Sequence, residues 1–231
     1  NSVTGVQTCA LPISSNVIVV SFPNYDGDSS YLLREYFMSN MNKQPLSPKM
    51  VSTLFMLDMY DVYYKQLKEY YDKNYIMIFD RFWYSNIYYQ GASYALKTGN
   101  KETNIILYSY ENLYKDFERE IYELNEKEFK LPKANLIYKM IHNVIDSKTI
   151  IEQRRAVDKS HNGEINEDQY TYLDNVNNFL KSFPFSYGAT DFKQYNIELD
   201  NIDKTCKTED RIFNMIKQIF DSNLERFLKE G

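Results

Sequence analysis

The chain has 231 residues, of which 43% are hydrophobic, and a formal net charge of −5. This size and composition fit one domain with a single sizeable core, and the acidic balance argues against binding to nucleic-acid backbones, which requires basic surfaces. The sequence contains no apolar run of about 18 residues and no secretory leader, so we expect a cytoplasmic protein that does not span a membrane.

The first segment in chain order is residues 3–14, whose sequence VTGVQTCALPIS differs in composition from the rest of the chain. The remainder is rich in Tyr, Lys, Asn and Ile, whose codons are rich in A and T. One back-translation of residues 3–14 looks like a sequencing-library adapter read as coding sequence. We therefore interpret residues 1–14 as a non-native segment and residues 15–231 as the domain. The alternative is an ordinary flexible N-terminal tail.

Apolar runs and helix signals alternate along the domain. The continuous run Val17–Ser21 predicts a strand buried on both faces of a parallel sheet. Asp28 and Ser29 are predicted N-caps of the following helix, and Ser47 with Pro48 predicts the start of a long one. The predicted strands span residues 17–21, 75–79, 136–141 and 195–199. The predicted helices span residues 28–38, 47–73, a stretch after residue 81, 107–124, 146–156, 166–183 and a segment from residue 208.

This alternation predicts an α/β fold, a doubly wound parallel sheet flanked by helices. Such sheets bind ligands at the carboxyl ends of their strands, which here are followed by residues 22–25 and by Asp80–Arg81. A phosphate-transferring enzyme of this architecture opens with a strand, a G-x-x-x-x-G-K-[ST] loop and a helix. None of the seven Gly residues is followed by Lys. We therefore expect a fold that lacks the first strand, the P-loop and the first helix.

The dipeptide Asp80–Arg81 follows an apolar strand and would lie at the binding edge of the sheet. There the carboxylate can hold a magnesium-bound water, and the guanidinium can clamp a phosphate with two hydrogen bonds. The alternative is a capped strand end with a surface ion pair. Asn86 and Tyr89 lie three residues apart on the next predicted helix, with Gln90 beside them, and share a face suited to a base and a sugar.

The long predicted helix contains the sequence STLFMLDMY at residues 52–60. Apolar residues at helical spacing usually face the core, and we expect this for most of the segment. Phe55 is the exception, because an aromatic ring is a natural stacking platform for a base.

A cationic cluster, Arg154, Arg155 and Lys159, precedes a polar stretch that contains Gly. This pattern predicts a mobile lid at about residues 154–168 that closes over a triphosphate and excludes water. The alternative is a solvated surface segment held by salt bridges.

Taken in order, five stretches of the chain resemble the thymidylate kinases, P-loop enzymes that pass the γ-phosphate of ATP to dTMP. The stretches are VSFPNYDGDSSYLLREYF (residues 20–37), STLFMLDMY (52–60), IFDRFWYSNIYYQGA (78–92), LPKANLIY (131–138) and RRAVDKSHNGEINEDQYTYLDNV (154–176). The likeness covers about residues 17–176, and five stretches in the right order are more specific than any one alone.

The resemblance implies a role for each matching side chain of the acceptor site. Tyr25 and Arg81 would contact the phosphate of dTMP. Phe55 would stack on thymine, and Asn86 would hydrogen-bond the edge of the base. Tyr89 would lie against the deoxyribose, where a 2′-hydroxyl would otherwise fit.

The resemblance also implies Mg²⁺ bound with ATP as the cofactor, with Asp80 acting near the ion through water. Two Cys and two His residues are too few for a structural zinc site, so the ion is expected to come with the nucleotide. Gln90 would belong to the substrate site, while Arg154, Arg155 and Lys159 would belong to the lid on the ATP side. Catalysis of this type is mostly positioning plus charge neutralisation.

Two departures from the family pattern bear on function. Met59 stands where the family typically has an Arg that contacts the base, and Met cannot donate a hydrogen bond, which leaves thymine selectivity open. The absence of the first strand and of the P-loop predicts that the 231-residue chain is inactive, although the gene it came from encodes an active enzyme.

The expected partners are dTMP and ATP, and the family implies a homodimer whose interface could include the apolar face of residues 50–71. Three alternatives stay open at this point. They are another deoxynucleoside or nucleotide kinase, a degenerate non-catalytic nucleotide-binding protein, and a structural helical protein with chance matches.

Overall fold

The computed structural model describes residues 17–38, 46–98, 106–141, 167–187 and 193–198, together with the single residues 214, 217, 218 and 221. Its strands are β1 (Val17–Ser21), β2 (Ile76–Asp80), β3 (Leu136–Ile141) and β4 (Lys193–Glu198). Its α-helices are α1 (Tyr31–Met38), α2 (Pro48–Val62), α3 (Lys68–Asp72), α4 (Trp83–Thr98), α5 (Ile106–Leu124) and α6 (Glu167–Ser182). A 3-10 turn (Asp28–Ser30) precedes α1, and π-helical turns (Tyr63–Leu67 and Asn125–Phe129) follow α2 and α5.

The predicted start of the long helix is confirmed. The Ser47 hydroxyl accepts a hydrogen bond from the Met50 N–H at 3.2 Å, and Pro48 occupies the first turn of α2, where its missing N–H costs nothing. The helical path continues through the π-helical turn into α3, so it ends at Asp72, beside the predicted end at Lys73. The remaining predicted strands and helices in the described residues are found with ends shifted by two residues or fewer.

The predicted N-caps of α1 are wrong. The residue that precedes the 3-10 turn is Gly27, which makes no side-chain cap, and Asp28 and Ser29 lie inside the turn. The Ser29 hydroxyl donates a hydrogen bond at 3.0 Å to the carboxylate of Asp58, which is distant in sequence. The Ser29 hydroxyl therefore binds a side chain that is distant in sequence, whereas the local pattern predicted that it would cap the helix.

The strands form two parallel pairs. β1 pairs with β2 in a register that runs from Val17–Ile76 to Ser21–Asp80, and β3 pairs with β4. Within the described residues, no ladder joins β2 to β3. The first four side chains of β1 are half-buried and Ser21 is exposed, whereas the sequence predicted a strand buried on both faces. The difference arises because only two strands share this sheet in the part of the chain that is described.

The core lies among α2, α4, α5 and α6, and its largest fully buried side chains include Trp83, Tyr114 and Phe117. Gly91 on α4 permits a close approach to α5, because a Cβ at this position would stand 3.0 Å from the Tyr114 ring. The Trp83 indole donates a hydrogen bond to the Pro132 carbonyl at 3.1 Å. These contacts hold α4, the helix that follows Arg81, firmly against the core.

Glu118 is a buried carboxylate on α5. Its Oε1 accepts hydrogen bonds from the backbone N–H groups of Ser186 at 2.7 Å and Tyr187 at 2.9 Å, and its Oε2 accepts one from the Ser186 hydroxyl at 3.0 Å. Three donors to one carboxylate offset the cost of removing its charge from water. The carboxylate thereby fastens the segment after α6 to α5.

Several predicted elements lie outside the described residues. They are the helix at 146–156, the lid as far as residue 166 and most of the C-terminal helix from residue 208. Among the helices that are described, none is long and apolar enough to cross a membrane.

Candidate functional site

The loop after β1 brings Tyr25 to the carboxyl edge of the β1–β2 pair. The Phe22 N–H donates to the Asp80 carbonyl at 2.9 Å, which extends the strand pairing by one step beyond the strand end. Tyr25 is 38% exposed. Partial burial raises the pKa of its hydroxyl, and the positive charge of Arg81 acts in the opposite direction. The phenol is therefore a protonated donor close to a guanidinium.

Arg81 stands at the end of β2 and is exposed. Its backbone adopts the left-handed conformation with φ 62°, which is uncommon for a residue other than Gly and recurs at functional sites. The guanidinium carbon lies 5.8 Å from the centre of the Tyr89 ring, within the range of a cation–π contact. The Tyr172 hydroxyl on α6 donates to the Tyr89 carbonyl at 2.7 Å and fixes this part of α4. A cation is thus presented beside an aromatic ring at the sheet edge.

Asn86 lies on α4 and is only 3% exposed. Within the described part of the chain, its Nδ2 has no hydrogen-bond partner. A buried amide donor without an acceptor costs about 1–3 kcal/mol, so such groups in folded proteins usually have a role. The Asn86 side chain fits an acceptor that comes from a ligand, such as the carbonyl on the edge of a base.

Phe55 and Met59 lie one turn apart on α2 and share a face of the helix. Phe55 is half-buried and packs against the core, which leaves part of its surface for stacking. Met59 is 1% exposed and belongs to the core. The position where the resemblance calls for a base-contacting Arg is therefore filled as an apolar core position.

Sequence reasoning missed Asp58. This carboxylate on α2 is fully buried and accepts hydrogen bonds from the Asn24 N–H at 2.9 Å and from the Ser29 hydroxyl at 3.0 Å. In the sequence it interrupts an apolar stripe between Leu57 and Met59. That interruption was the available signal, since a buried acid requires polar partners.

The remaining predicted site residues differ in how far the structure places them. Gln90 is half-buried on α4, next to Tyr89, whereas Arg154, Arg155 and Lys159 lie outside the described residues. Among the residues that are described, no three acidic, His or Cys side chains form a group that could hold a metal ion. One exposed carboxylate, that of Asp80, fits an ion that the nucleotide carries and that the protein contacts through water.

Comparison with known proteins agrees with this geometry. Residues 9–104 match the family model described as thymidylate kinase, and this segment contains the loop after β1, α2, β2 and α4. The fold is similar to that of a thymidylate kinase from Candida albicans, with a TM-score of 0.55 and 16% sequence identity over 90% of this chain and 81% of that chain. No curated protein matches the chain. Residues 9–104 are thus similar to the thymidylate kinase family, and the chain as a whole shares its fold with a thymidylate kinase.

Proposed function

We propose that the intact enzyme transfers the γ-phosphate of ATP to dTMP, giving dTDP. The observation that carries this proposal is the meeting of Tyr25, Arg81 and Tyr89 at the carboxyl edge of β1 and β2. A guanidinium and a phenol hydroxyl together can bind a phosphate through charge-assisted hydrogen bonds. The Tyr89 ring beside them offers an apolar surface to the sugar.

The base would lie between α2 and α4, two helices that pack against each other. The half-buried Phe55 ring on α2 offers a stacking surface, and the Asn86 amide on α4 offers a buried donor that lacks a partner among the described residues. Gln90, one turn after Asn86, would add a second polar contact. This division gives the base and the phosphate separate recognition elements.

The donor side of the reaction rests on fewer described residues. Mg²⁺ bound to ATP would neutralise charge on the phosphates, and Asp80 would contact the ion through water. Arg154, Arg155 and Lys159 would act as the lid over the ATP phosphates. Transfer of this type needs no covalent nucleophile from the protein.

We also propose that the 231-residue chain binds the acceptor but does not transfer phosphate. Its sequence contains no Gly-Lys pair that could form a P-loop. A coupled assay for ADP release tests this proposal, because a chain without a P-loop should not transfer the γ-phosphate.

A second candidate function is phosphorylation of another deoxynucleoside or nucleotide. The buried Met59 favours it, because this side chain leaves the base without the hydrogen bond that the resemblance implies. The Candida albicans enzyme is described as having broad substrate specificity. A Met59→Arg variant that regains preference for dTMP over other nucleotides would support this second reading.

A homodimer formed through α2 and α3 is the third part of the proposal. Met50, Leu57, Tyr64 and Tyr71 are exposed and recur every seven residues, so they form one apolar stripe along the helical path. A Leu57→Glu variant should therefore shift the chain to monomer in sedimentation analysis. An unchanged oligomeric state would contradict this interface. The cytoplasmic location stays a prediction.

Calorimetric titration of the chain with dTMP, dUMP and thymidine tests the acceptor site, and a coupled assay for ADP release tests phosphate transfer. We expect dTMP to bind more tightly than thymidine, because only dTMP carries the phosphate that Tyr25 and Arg81 recognise. We expect no transfer by the 231-residue chain. Equal affinity for dTMP and thymidine would contradict the phosphate site, and ATP-dependent formation of dTDP would contradict the proposed inactivity.

A further inference from the structure

Asp58 links α2 to the loop that carries Tyr25. Its Oδ2 accepts the Asn24 N–H at 2.9 Å, and its Oδ1 accepts the Ser29 hydroxyl at 3.0 Å. Both carboxylate oxygens are thus used on one loop, at its beginning and at its end. Tyr25, the proposed phosphate contact, directly follows the anchored Asn24 in the chain.

The rest of the loop is tied by bonds among its own residues. The Gly27 N–H donates to the Asn24 carbonyl at 2.9 Å, and the Ser30 hydroxyl donates to the Gly27 carbonyl at 2.8 Å. The Arg34 guanidinium donates to the carbonyls of Tyr25 and Gly27. These bonds shape the loop, whereas the two hydrogen bonds to Asp58 fasten it to α2.

The place of Asp58 on α2 connects the two halves of the proposed acceptor site. It lies three residues after Phe55, so the proposed stacking ring and the loop anchor are neighbours on one face of the helix. A rigid helix turn therefore sets the position of the phosphate-binding loop relative to the base. Residues that bind the substrate need this kind of support, because small displacements of a binding group are costly.

Burial of the Asp58 carboxylate lowers the stability of the folded state, because a charged group loses its hydration. Desolvation raises the pKa of its carboxyl, and the two hydrogen bonds from Asn24 and Ser29 only partly offset this effect. A fully buried carboxylate that accepts hydrogen bonds from two uncharged groups, the Asn24 N–H and the Ser29 hydroxyl, is a poor choice for stability alone. Its location beside the acceptor site offers a reason for the cost.

We propose that Asp58 is a positioning residue that holds the Asn24–Ser29 loop so that Tyr25 meets the phosphate of the acceptor nucleotide. This inference rests on the proposed function. It differs from a purely structural role in one measurable respect. Loss of the anchor must weaken binding of a nucleotide that carries the phosphate and spare the nucleoside that lacks it.

The test compares Asp58→Ala and Asp58→Asn with the wild-type chain by calorimetric titration with dTMP and with thymidine. Asp58→Ala should weaken dTMP binding about tenfold and leave thymidine binding within about twofold. The dTMP affinity of Asp58→Asn should lie between those of the wild-type chain and Asp58→Ala, because the amide oxygen of Asn can still accept a hydrogen bond from the Asn24 N–H. Hydrogen exchange at the Asn24 amide should quicken in Asp58→Ala in the unliganded chain.

Glu118→Gln supplies the matched control, since Glu118 is also a buried carboxylate that fastens a loop, away from the acceptor site. It should lower the denaturation midpoint and leave the ratio of dTMP to thymidine affinity unchanged. If Asp58→Ala fails to fold, Ser29→Ala removes one of the two anchoring bonds and should weaken dTMP binding selectively by about threefold.

Two results would overturn the inference. Either the Asp58 variants weaken dTMP and thymidine binding equally, or they leave dTMP binding unchanged while the wild-type chain discriminates between the two ligands. Failure of the proposed function has a different signature, because the wild-type chain would then bind neither ligand or would not distinguish them. In that case the proposed role of Asp58 in phosphate binding is contradicted together with the proposed function.

Discussion

Asp58 and Glu118 are both buried carboxylates on helices, and each fastens a loop by accepting hydrogen bonds from backbone N–H groups and a serine hydroxyl. The loops differ in what surrounds them. The segment held by Glu118 continues into Phe185, whose buried ring contacts two core tyrosines. The loop held by Asp58 carries the exposed Tyr25, whose hydroxyl is within the electrostatic influence of the exposed Arg81.

The comparison shows that the same anchoring chemistry can serve two purposes. Around Glu118 the anchor closes a packed region, because aromatic rings cover the segment it holds. Around Asp58 the anchor presents polar side chains to an open edge, and the nearby helix α4 keeps a buried amide donor at Asn86 with no partner among the described residues. A ligand site requires a polar group that is available for the ligand and a rigid support around it, and the Asn86 amide and the anchored loop fit these two requirements.

The largest expected effect is on stability in the Glu118 region. Glu118→Ala removes three hydrogen bonds to a charged acceptor and leaves their donors unpaired, so we expect the free energy of unfolding to fall by about 3 kcal/mol. Urea unfolding measures the change. Glu120→Ala, on the same helix, breaks an exposed ion pair with Lys49 and should cost less than about 1 kcal/mol. A similar loss in both variants would erase the proposed contrast.

The next effect is on binding in the Asp58 region. Arg81→Gly removes the guanidinium and keeps a residue that accepts the left-handed backbone, so stability should change little while dTMP affinity falls by about 10- to 100-fold. Thymidine affinity should stay the same in calorimetric titration. Asn74→Gly makes the same kind of change at another left-handed position away from the site. Loss of dTMP affinity in Asn74→Gly would indicate a backbone effect instead.

A smaller effect separates the two serines that donate to the carboxylates. Ser29→Ala and Ser186→Ala each remove one hydroxyl donor, so each should lower stability by about 1 kcal/mol. Only Ser29→Ala should also weaken dTMP binding, because only its loop carries Tyr25. Parallel denaturation and titration of the two variants check this. Equal effects on dTMP binding would refute the division of roles.

The smallest effect is a trend with pH. Burial raises the pKa of the Asp58 carboxyl, so in the window between its unfolded and folded pKa values the folded state holds more protons than the unfolded state. The contribution of Asp58 to stability should therefore decline as pH rises through that window. Asp58→Asn lacks this titration, so wild-type stability should fall relative to the variant as the pH rises above about 4, the ordinary pKa of an Asp side chain. An opposite trend in urea midpoints would contradict the assignment.

Local patterns predicted the architecture well because they depend on residues that are close in sequence. The apolar run that forms β1 and the Ser47–Pro48 pair that starts α2 are contained within a few positions each. The caps of α1 failed for the opposite reason, since the partner of Ser29 lies 29 positions away. The link between Glu118 and Ser186 spans 68 positions and could not be read from any local window.

The candidate site was predictable to the extent that a resemblance could point to its residues. The structure brings Tyr25, Arg81 and Tyr89 to one edge, although their roles toward dTMP stay predictions. Asp58 was not predicted because helical periodicity assigns its neighbours to the core. Periodicity also contains no information about a loop that folds back onto the helix. Burial of Asn86 likewise depends on the packing of α4 against α2, which only the fold reveals.

The close approach at Gly91 has a consequence for the proposed base site. Helix α4 packs against α5 at this glycine and against α2 elsewhere, so a side chain at position 91 would press on the Tyr114 ring or move α4 away from α5. Such a movement would displace Asn86, which lies on the same helix. A position that contributes no side chain to the proposed base site would thus set the location of the buried Asn86 amide through the helix that carries it.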